Sequence, residues 1–362
     1  MAEHFFTLSD PDRRDVLGVA ANKSGRPVHL LEKDIWVVWA LEVLHQSEIG
    51  RHLVFKGGTS LSKAYQAIDR FSEDVDLTYN IRAIAPDLVG GSVDAMPRSK
   101  SQADAWTKEI RERLAVWTRQ TVAPLLEAAA AVSDARAVVS VSSDTVEINY
   151  APLTPHGTGY VSPTVKLEFG ARSTGEPWEV HEIRCDAAPH VSEVSFPTAT
   201  SQVMMAERTF WEKATSIHVY CVGGRFRNPT RFSRHWYDLT RLARSGYAGR
   251  AIEDRDLAEQ VAHHKSMFFR EKDGDGRVID YRSIVKGPIR LIPEDAHRVA
   301  LADDYRRMTD DGLLVAPVES FDELLAECEQ LQNTMKGAGS ASPAGRPAPA
   351  YAMLRGPRGH RR

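Results

Sequence analysis

The hydrophobic positions change period along the chain, and each change marks an element. Over residues 28–47, VHLLEKDIWVVWALEVLHQS, Leu31, Ile35, Val38, Leu41 and Leu44 recur at helical spacing, with Trp36 and Trp39 thickening the stripe. That pattern predicts a packing helix. A first helix is expected over 11–23, with Pro11 near its start and Val16, Leu17 and Val19 apolar. Leu53-Val54-Phe55 reads as a short strand ending on Gly57-Gly58-Thr59-Ser60, after which Leu61, Ala64, Tyr65 and Ile68 predict a further helix. In Phe71-Ser72-Glu73-Asp74-Val75-Asp76-Leu77 the period falls to two. Strand geometry puts residues i and i+2 on one face, so Asp74 and Asp76 point one way while Val75 and Leu77 point into a core.

Residues 83–101, with Pro86, Gly90, Gly91 and Pro97, read as a loop. A long helix is expected over 102–133, kinked or divided at Pro124. Strands follow at Val138–Val141, Val146–Tyr150, 164–170 and 178–184. In 164–170, Val165, Leu167 and Phe169 take one face and Lys166 and Glu168 the other. From about residue 198 the pattern turns helical, first over 201–219 and then over 235–246, where Gly246 is a stop. Further helices are expected at 253–265, 294–309 and 320–334. The chain therefore divides into an α/β (α+β) core over 1–195 and a helical domain over 196–335. The tail, 336–362, is rich in Gly, Pro, Ala and Arg, has no acidic residue and is expected to be disordered.

Composition changes this picture little. Of 362 residues, 42% are hydrophobic and 26% charged, ordinary for a globular protein, and the net charge of −3 predicts no polyanion partner globally. Three widely spaced cysteines, Cys185, Cys221 and Cys328, support neither a zinc site nor a disulfide framework. No secretory h-region opens the sequence and no run is long enough to span a membrane, so a cytoplasmic protein is expected. Locally the charge is segregated. Arg208, Arg225, Arg227, Arg231, Arg234, Arg241, Arg244, Arg250 and Lys213 stand against Glu212 and Asp238 alone, a balance of 9 − 2 = +7. Phe226 and Phe232 are interleaved among these arginines, a pattern suited to phosphates and stacked bases.

The candidate chemistry centres on residues 53–79. Adjoining carboxylates disfavour each other's ionisation, and a divalent cation with oxygen ligands relieves this. A glycine turn before a helix offers backbone N–H groups to phosphate. Phosphate cradle plus metal carboxylates point to nucleotide chemistry. Glu168 is the natural third carboxylate if its strand lies beside the one bearing Asp74 and Asp76. Lys213 and Asp238, taken on spacing alone, each read better as one end of a surface salt bridge.

The motifs K-G-G-T-S-L-S-K-A and R-F-S-E-D-V-D-L resemble the AbiEii/AbiGii toxin family, which includes the mycobacterial MenT toxins of type IV toxin–antitoxin systems. More broadly, they resemble the opening signature of polymerase-β-like nucleotidyltransferases. Arg208-Thr-Phe-Trp-Glu-Lys213 and Arg234-His-Trp-Tyr-Asp238-Leu resemble the family's later lysine and aspartate motifs, and the similarity runs from about residue 28 to 245. It implies a polymerase-β-like core with a mixed sheet, followed by a helical domain. It further implies Mg²⁺ or Mn²⁺ at Asp74 and Asp76, helped by Glu168, and nucleotide binding at Gly57, Gly58, Thr59, Ser60, Ser72 and Lys213. Asp238 would be the base or orienting group for the acceptor hydroxyl. The implied activity is transfer of NMP from an NTP to RNA, foremost the 3′ end of tRNA, blocking translation, with a cognate antitoxin as partner. The alternatives are NMP or phosphate transfer to a protein such as the antitoxin, or a non-catalytic nucleotide or RNA sensor.

Overall fold

Strand-forming and helix-forming stretches alternate through the first 204 residues, and the computed structural model sorts the strands onto one main sheet. It describes residues 2–72, 74–154, 161–223, 229–314 and 318–340. In chain order the elements of the first part are β1 (Glu3–His4), α1 (Asp10–Ser24), α2 (Val28–Gln46), β2 (Leu53–Lys56), α3 (Gly57–Lys63), β3 (Asp74–Tyr79), α4 (Ile81–Ile84) and α5 (Pro86–Val89). There follow α6 (Lys100–Trp117), α7 (Ala123–Ser133), β4 (Val138–Ser142), β5 (Thr145–Asn149), β6 (Thr164–Gly170), β7 (Trp178–Arg184), β8 (Val194–Ser195) and β9 (Thr198–Met204). The remainder is helical: α8 (Ala206–Val222), α9 (Arg234–Arg244), α10 (Tyr247–Glu253), α11 (Arg255–Phe268), α12 (Tyr281–Ile284), α13 (Asp295–Asp310) and α14 (Phe321–Ser340).

Local chemistry explains most boundaries. Ser9 accepts a hydrogen bond from the Asp12 amide and so caps α1, and Gly25, at φ +73°, ends it in the left-handed conformation. The long helix expected over 102–133 is divided as foreseen, because a π-helical turn over Thr118–Val122 separates α6 from α7 just ahead of Pro124. Three expectations fail. The helix after the glycine turn stops at Lys63, where Gln66 takes a positive φ of 49°. The loop over 83–101 contains the short helices α4 and α5. The helix expected to begin at 201 begins at Ala206, because Thr198–Met204 is a strand. Its alternation, with Ala199, Ser201 and Val203 buried, carries period two across a stretch whose apolar end also suits the following helix. At the C-terminus α14 continues through 340. Residues 341–362, the rest of the expected disordered tail, lie outside the described residues.

The seven-stranded sheet has the order β4-β5-β6-β3-β2-β9-β7 and is mixed: β3/β6 and β2/β9 run parallel, the other neighbours antiparallel. One hydrophobic cluster joins this sheet to α1, α2, α6 and α7, and a second runs through α8–α14. The segment between α3 and β3 belongs to the second cluster through Ala67, Ile68 and Phe71. The Phe71 amide donates to the Leu313 carbonyl at 2.7 Å. That excursion places Arg70 among the helices.

Candidate active site

Register decides which side chains share the sheet face with the aspartates. On β6, Lys166 stands opposite Asp74 and Glu168 opposite Asp76; on β2, Lys56 stands opposite Asp76. The strand bearing Glu168 is therefore the neighbour the sequence called for. Burial raises the Asp76 carboxyl above its ordinary range against the pull of Lys56, and Glu168 adds to the rise. Glu168 is partly exposed and pairs with Lys166. Among the described residues no three His, Cys, Asp or Glu side chains converge as a ready metal cage.

The glycine turn is fitted to these groups. Gly57 has φ +82°, and a Cβ there would collide with the Asp76 carboxylate. A Cβ on Gly58 would strike the Arg70 guanidinium. The two glycines thus let an anion and a cation approach the backbone closely. Thr59 and Ser60 face elsewhere. Both are buried; the Thr59 hydroxyl donates to the carbonyls of Ser72, at 3.3 Å, and Asp74, while Ser60 Oγ donates to the Gly57 carbonyl at 2.9 Å. The Thr59 hydroxyl fastens the start of α3 to β3 and that of Ser60 closes back on α3 itself; the contacts expected here are with the backbone N–H groups, which these hydroxyl bonds leave untouched. Gly57, Gly58 and Ser72 do line a cavity of about 150 Å³, together with Asp74, Asp76 and Lys213.

Asp238 closes the site from beneath. Arg70 grips it bidentately, Nε at 2.6 Å from one oxygen and Nη2 at 2.8 Å from the other, and Lys213 Nζ lies 2.7 Å from the second oxygen. The side chain has no solvent exposure. Burial alone would raise its pKa, but Arg70 and Lys213 overcome that and hold the carboxyl well below the usual range. Lys213 and Asp238 do form a salt bridge, but with each other and in the interior rather than at the surface. With both oxygens engaged, Asp238 positions Arg70 and Lys213; the expected part was that of base or orienting group for an acceptor hydroxyl, and in this arrangement neither oxygen is free for such a hydroxyl. Arg234, from the same helix, reaches the other side of the cleft, 3.6 Å from Asp74.

Sequence reasoning missed Lys56 and Arg70 as members of the site, although each is the first residue of a quoted motif. It also missed Glu212, a part-buried carboxyl brought down to about 2 because Lys56 and Arg208 outweigh its desolvation. Lys56 was detectable in principle as the residue that ends an apolar strand before two glycines. The +7 balance of the middle region, by contrast, overstated an open basic surface. Arg241 pairs with Glu319, Arg244 with Glu319 and Glu327, and Arg250 with Glu207, all carboxylates outside the counted window. Arg225, Phe226 and Arg227 lie outside the described residues.

Cofacial carboxylates, one of them raised by burial, face cations locked in place by a buried aspartate. The chain is a nucleotidyltransferase with a mixed α/β core and a helical part. The family model described as nucleotidyl transferase AbiEii toxin, type IV toxin–antitoxin system, matches residues 39–327, and the chain belongs to that family. Membership carries with it an NTP substrate and an antitoxin partner. Solved structures that resemble the chain include MenT4, a nucleotidyltransferase toxin from Mycobacterium tuberculosis H37Rv, at TM-score 0.37 and 16% identity, covering 89% of this chain and 97% of that one. Another is JHP933 from Helicobacter pylori, at TM-score 0.36 and 14% identity, covering 85% of this chain and 89% of that one. No curated protein sequence matches the chain. Among the described residues no helix is long and apolar enough to cross a membrane.

Proposed function

We propose that the protein transfers NMP from an NTP to an acceptor RNA, foremost the 3′ end of tRNA, and thereby blocks translation in the cytoplasm. The observation that carries this reading is the parallel register of β3 and β6, which lines up Asp74, Asp76 and Glu168 on one face beside fixed cations. The donor set suits Mg²⁺ or Mn²⁺: it is all oxygen, and such ions bind through one or two carboxylates plus substrate phosphates rather than through closed protein cages. The raised Asp76 carboxyl fits a position that gains from a nearby cation. Asp74 and Asp76 would hold the ion, with Glu168 beside them. When bound, the ion supplies charge neutralisation at the α-phosphate and the departing pyrophosphate.

The chain's own residues do the rest. Lys213 and Arg70, held by Asp238, and Arg234 place positive charge where the triphosphate lies. Gly57 and Gly58 let the phosphates approach the backbone, and Ser72 borders the same space. Asp238 acts as a positioning residue for the two cations. The acceptor oxygen bonds to the α-phosphorus as the bond to the β-phosphate oxygen breaks. The hydroxyl proton passes to Glu168, the carboxylate of the three that solvent reaches most readily, and from there to water.

Purified protein incubated with each labelled NTP, Mg²⁺ and total tRNA should move label into RNA. Asp76→Asn should reduce that transfer by more than about 100-fold, the scale on which losing even an outer-shell partner of a metal ligand is felt. Label on polypeptide instead would establish the protein-acceptor alternative. Toxicity that survives Asp76→Asn would favour the non-catalytic sensor.

A further inference from the structure

Two cavities meet at Asp76. The smaller carries Arg70, Lys213 and Arg234. The larger, of about 450 Å³, runs from Asp76 past Glu168 to Arg172, Lys265 and Phe269. Most cations around the site are already matched, Arg70 and Lys213 by Asp238, Arg234 by Asp74 and Lys56 by Glu212. Arg172 and Lys265 are different: among the described residues neither has a carboxylate within ion-pair distance. Lys265 Nζ donates to the Glu212 carbonyl at 2.9 Å and to Ser216 Oγ at 3.0 Å. Arg172 Nη1 donates to the Phe268 carbonyl at 3.2 Å, and its guanidinium lies 4.1 Å from the centre of the Phe269 ring. The Arg172 carbonyl accepts from His264 Nε2 at 2.9 Å, which ties the segment after β6 to α11.

The consequence is two desolvated cations on one cavity, neither with a carboxylate in ion-pair contact. Burial lowers Arg172 to about 10 and Lys265 to about 8, in the second case despite the pull of Glu212. Beside them Phe269 keeps 41% of its surface exposed, unusual for a large aromatic ring. A half-exposed ring against a guanidinium is a stacking platform for a base, and unmatched cations next to it are a seat for the adjoining phosphate. Asp144 and Glu168 line the β-strand wall of the same cavity, so a phosphate is drawn to the α11 wall.

We propose that the larger cavity receives the terminal nucleotide of a single-stranded polynucleotide acceptor, its phosphodiester held between Arg172 and Lys265 and its base stacked at Phe269. The free 3′ hydroxyl then points towards Asp76, where the two cavities join. This rests on the RNA reading given above and assigns the acceptor's place within it. The nucleotide and the acceptor enter from separate cavities and meet over the carboxylates. Transfer follows the balance already stated: the 3′ oxygen bonds to the α-phosphorus, pyrophosphate leaves, and the proton departs through Glu168.

The test measures KM separately for NTP and for a short single-stranded RNA ending in a 3′ hydroxyl, with binding of the same RNA, labelled at its 5′ end, followed by fluorescence anisotropy. Phe269→Ala and Arg172→Ala should each raise the RNA KM and dissociation constant roughly 10-fold, the value of one lost stacking or charge contact. The NTP KM should stay within about twofold, and Arg172→Lys should restore part of the RNA affinity while flattening nothing in the NTP curve. Binding of the RNA by the wild type should weaken steeply with salt, and less steeply in Arg172→Ala. Should Arg172→Ala fail to fold, Phe269→Ala, altered at an exposed ring, decides alone. If the wild type labels RNA yet these variants keep the RNA KM, or raise the NTP KM instead, the acceptor assignment is wrong and the functional reading stands. If the wild type labels only polypeptide, the RNA reading fails and takes this assignment with it.

Discussion

On the sheet side of the cleft, Asp74, Asp76 and Glu168 share one face, and burial leaves Asp76 above its ordinary carboxyl range. On the helical side, Asp238 is more deeply buried, yet it lies well below that range because Arg70 and Lys213 both contact it. The same residue type, within one site, is held in opposite ways. On the proposed reading the sheet side takes up a cation from outside, whereas on the helical side one carboxylate fixes two cations in position and leaves a net positive charge. One side is built to receive and the other to hold still. Catalytic sites store part of their instability where the ligand will relieve it.

That contrast can be broken most severely at Asp238. Asp238→Ala leaves Arg70 and Lys213 buried without a counter-charge, and should cost about 3–5 kcal/mol of stability in a denaturant titration. The pH dependence has a definite sign. Because the folded pKa is depressed, the stability Asp238 contributes is present above the unfolded value near 3.8 and is lost only as the pH falls through its lower folded value. The wild type should therefore hold this contribution through mild acid, and Asp238→Ala should lose it throughout the neutral range. Gly57→Ala probes the joint between the halves of the site. At φ +82°, with the Asp76 carboxylate in the way of a Cβ, the change should cost about 1–3 kcal/mol and displace Asp76 enough to depress transfer more than folding. The smallest effect sharpens the comparison by its sign. In the presence of a chelator at neutral pH, Asp76→Asn should stabilise the protein by about 0.5–2 kcal/mol while abolishing activity. For Asp76 the folded pKa is raised, so its contribution is present below the unfolded value and lost as the pH rises through the folded one. A destabilised Asp76→Asn variant would show that the sheet side is as internally satisfied as the helical side.

Much of the sheet side was legible in the sequence, because a period of two states directly which residues share a face. Asp74, Asp76 and Glu168 follow from alternation plus one assumption about neighbouring strands, and the register of β3 and β6 supplies it. The helical side was legible only as separate motifs. That Arg70 completes the Lys213–Asp238 pair depends on a contact between residues 168 apart in sequence, which no local pattern encodes. For the same reason the arginine-rich middle was misjudged, since Glu319, just ahead of α14, and Glu327, within it, return to it. Thr59 and Ser60 entered the sequence reading through their backbone N–H groups; which way their hydroxyls turn, outward to a ligand or inward to a neighbouring carbonyl, no local pattern states, and here both turn inward. Strand β9 escaped because its buried Val203 also falls on the helical stripe that follows.

The Arg70–Asp238–Lys213 contact has a genetic meaning. Three codons spread over nearly half the gene answer to one constraint, because loss of Asp238 strands both cations in the interior and loss of either cation leaves the carboxylate half-held. For a cell that must escape its own toxin, these widely separated positions form a single broad lesion site, reachable by many independent single-base changes. The way back is narrow, since the bidentate fork of Arg70 has no substitute among the other side chains. The asymmetry between losing this arrangement and regaining it follows from how one carboxylate is held.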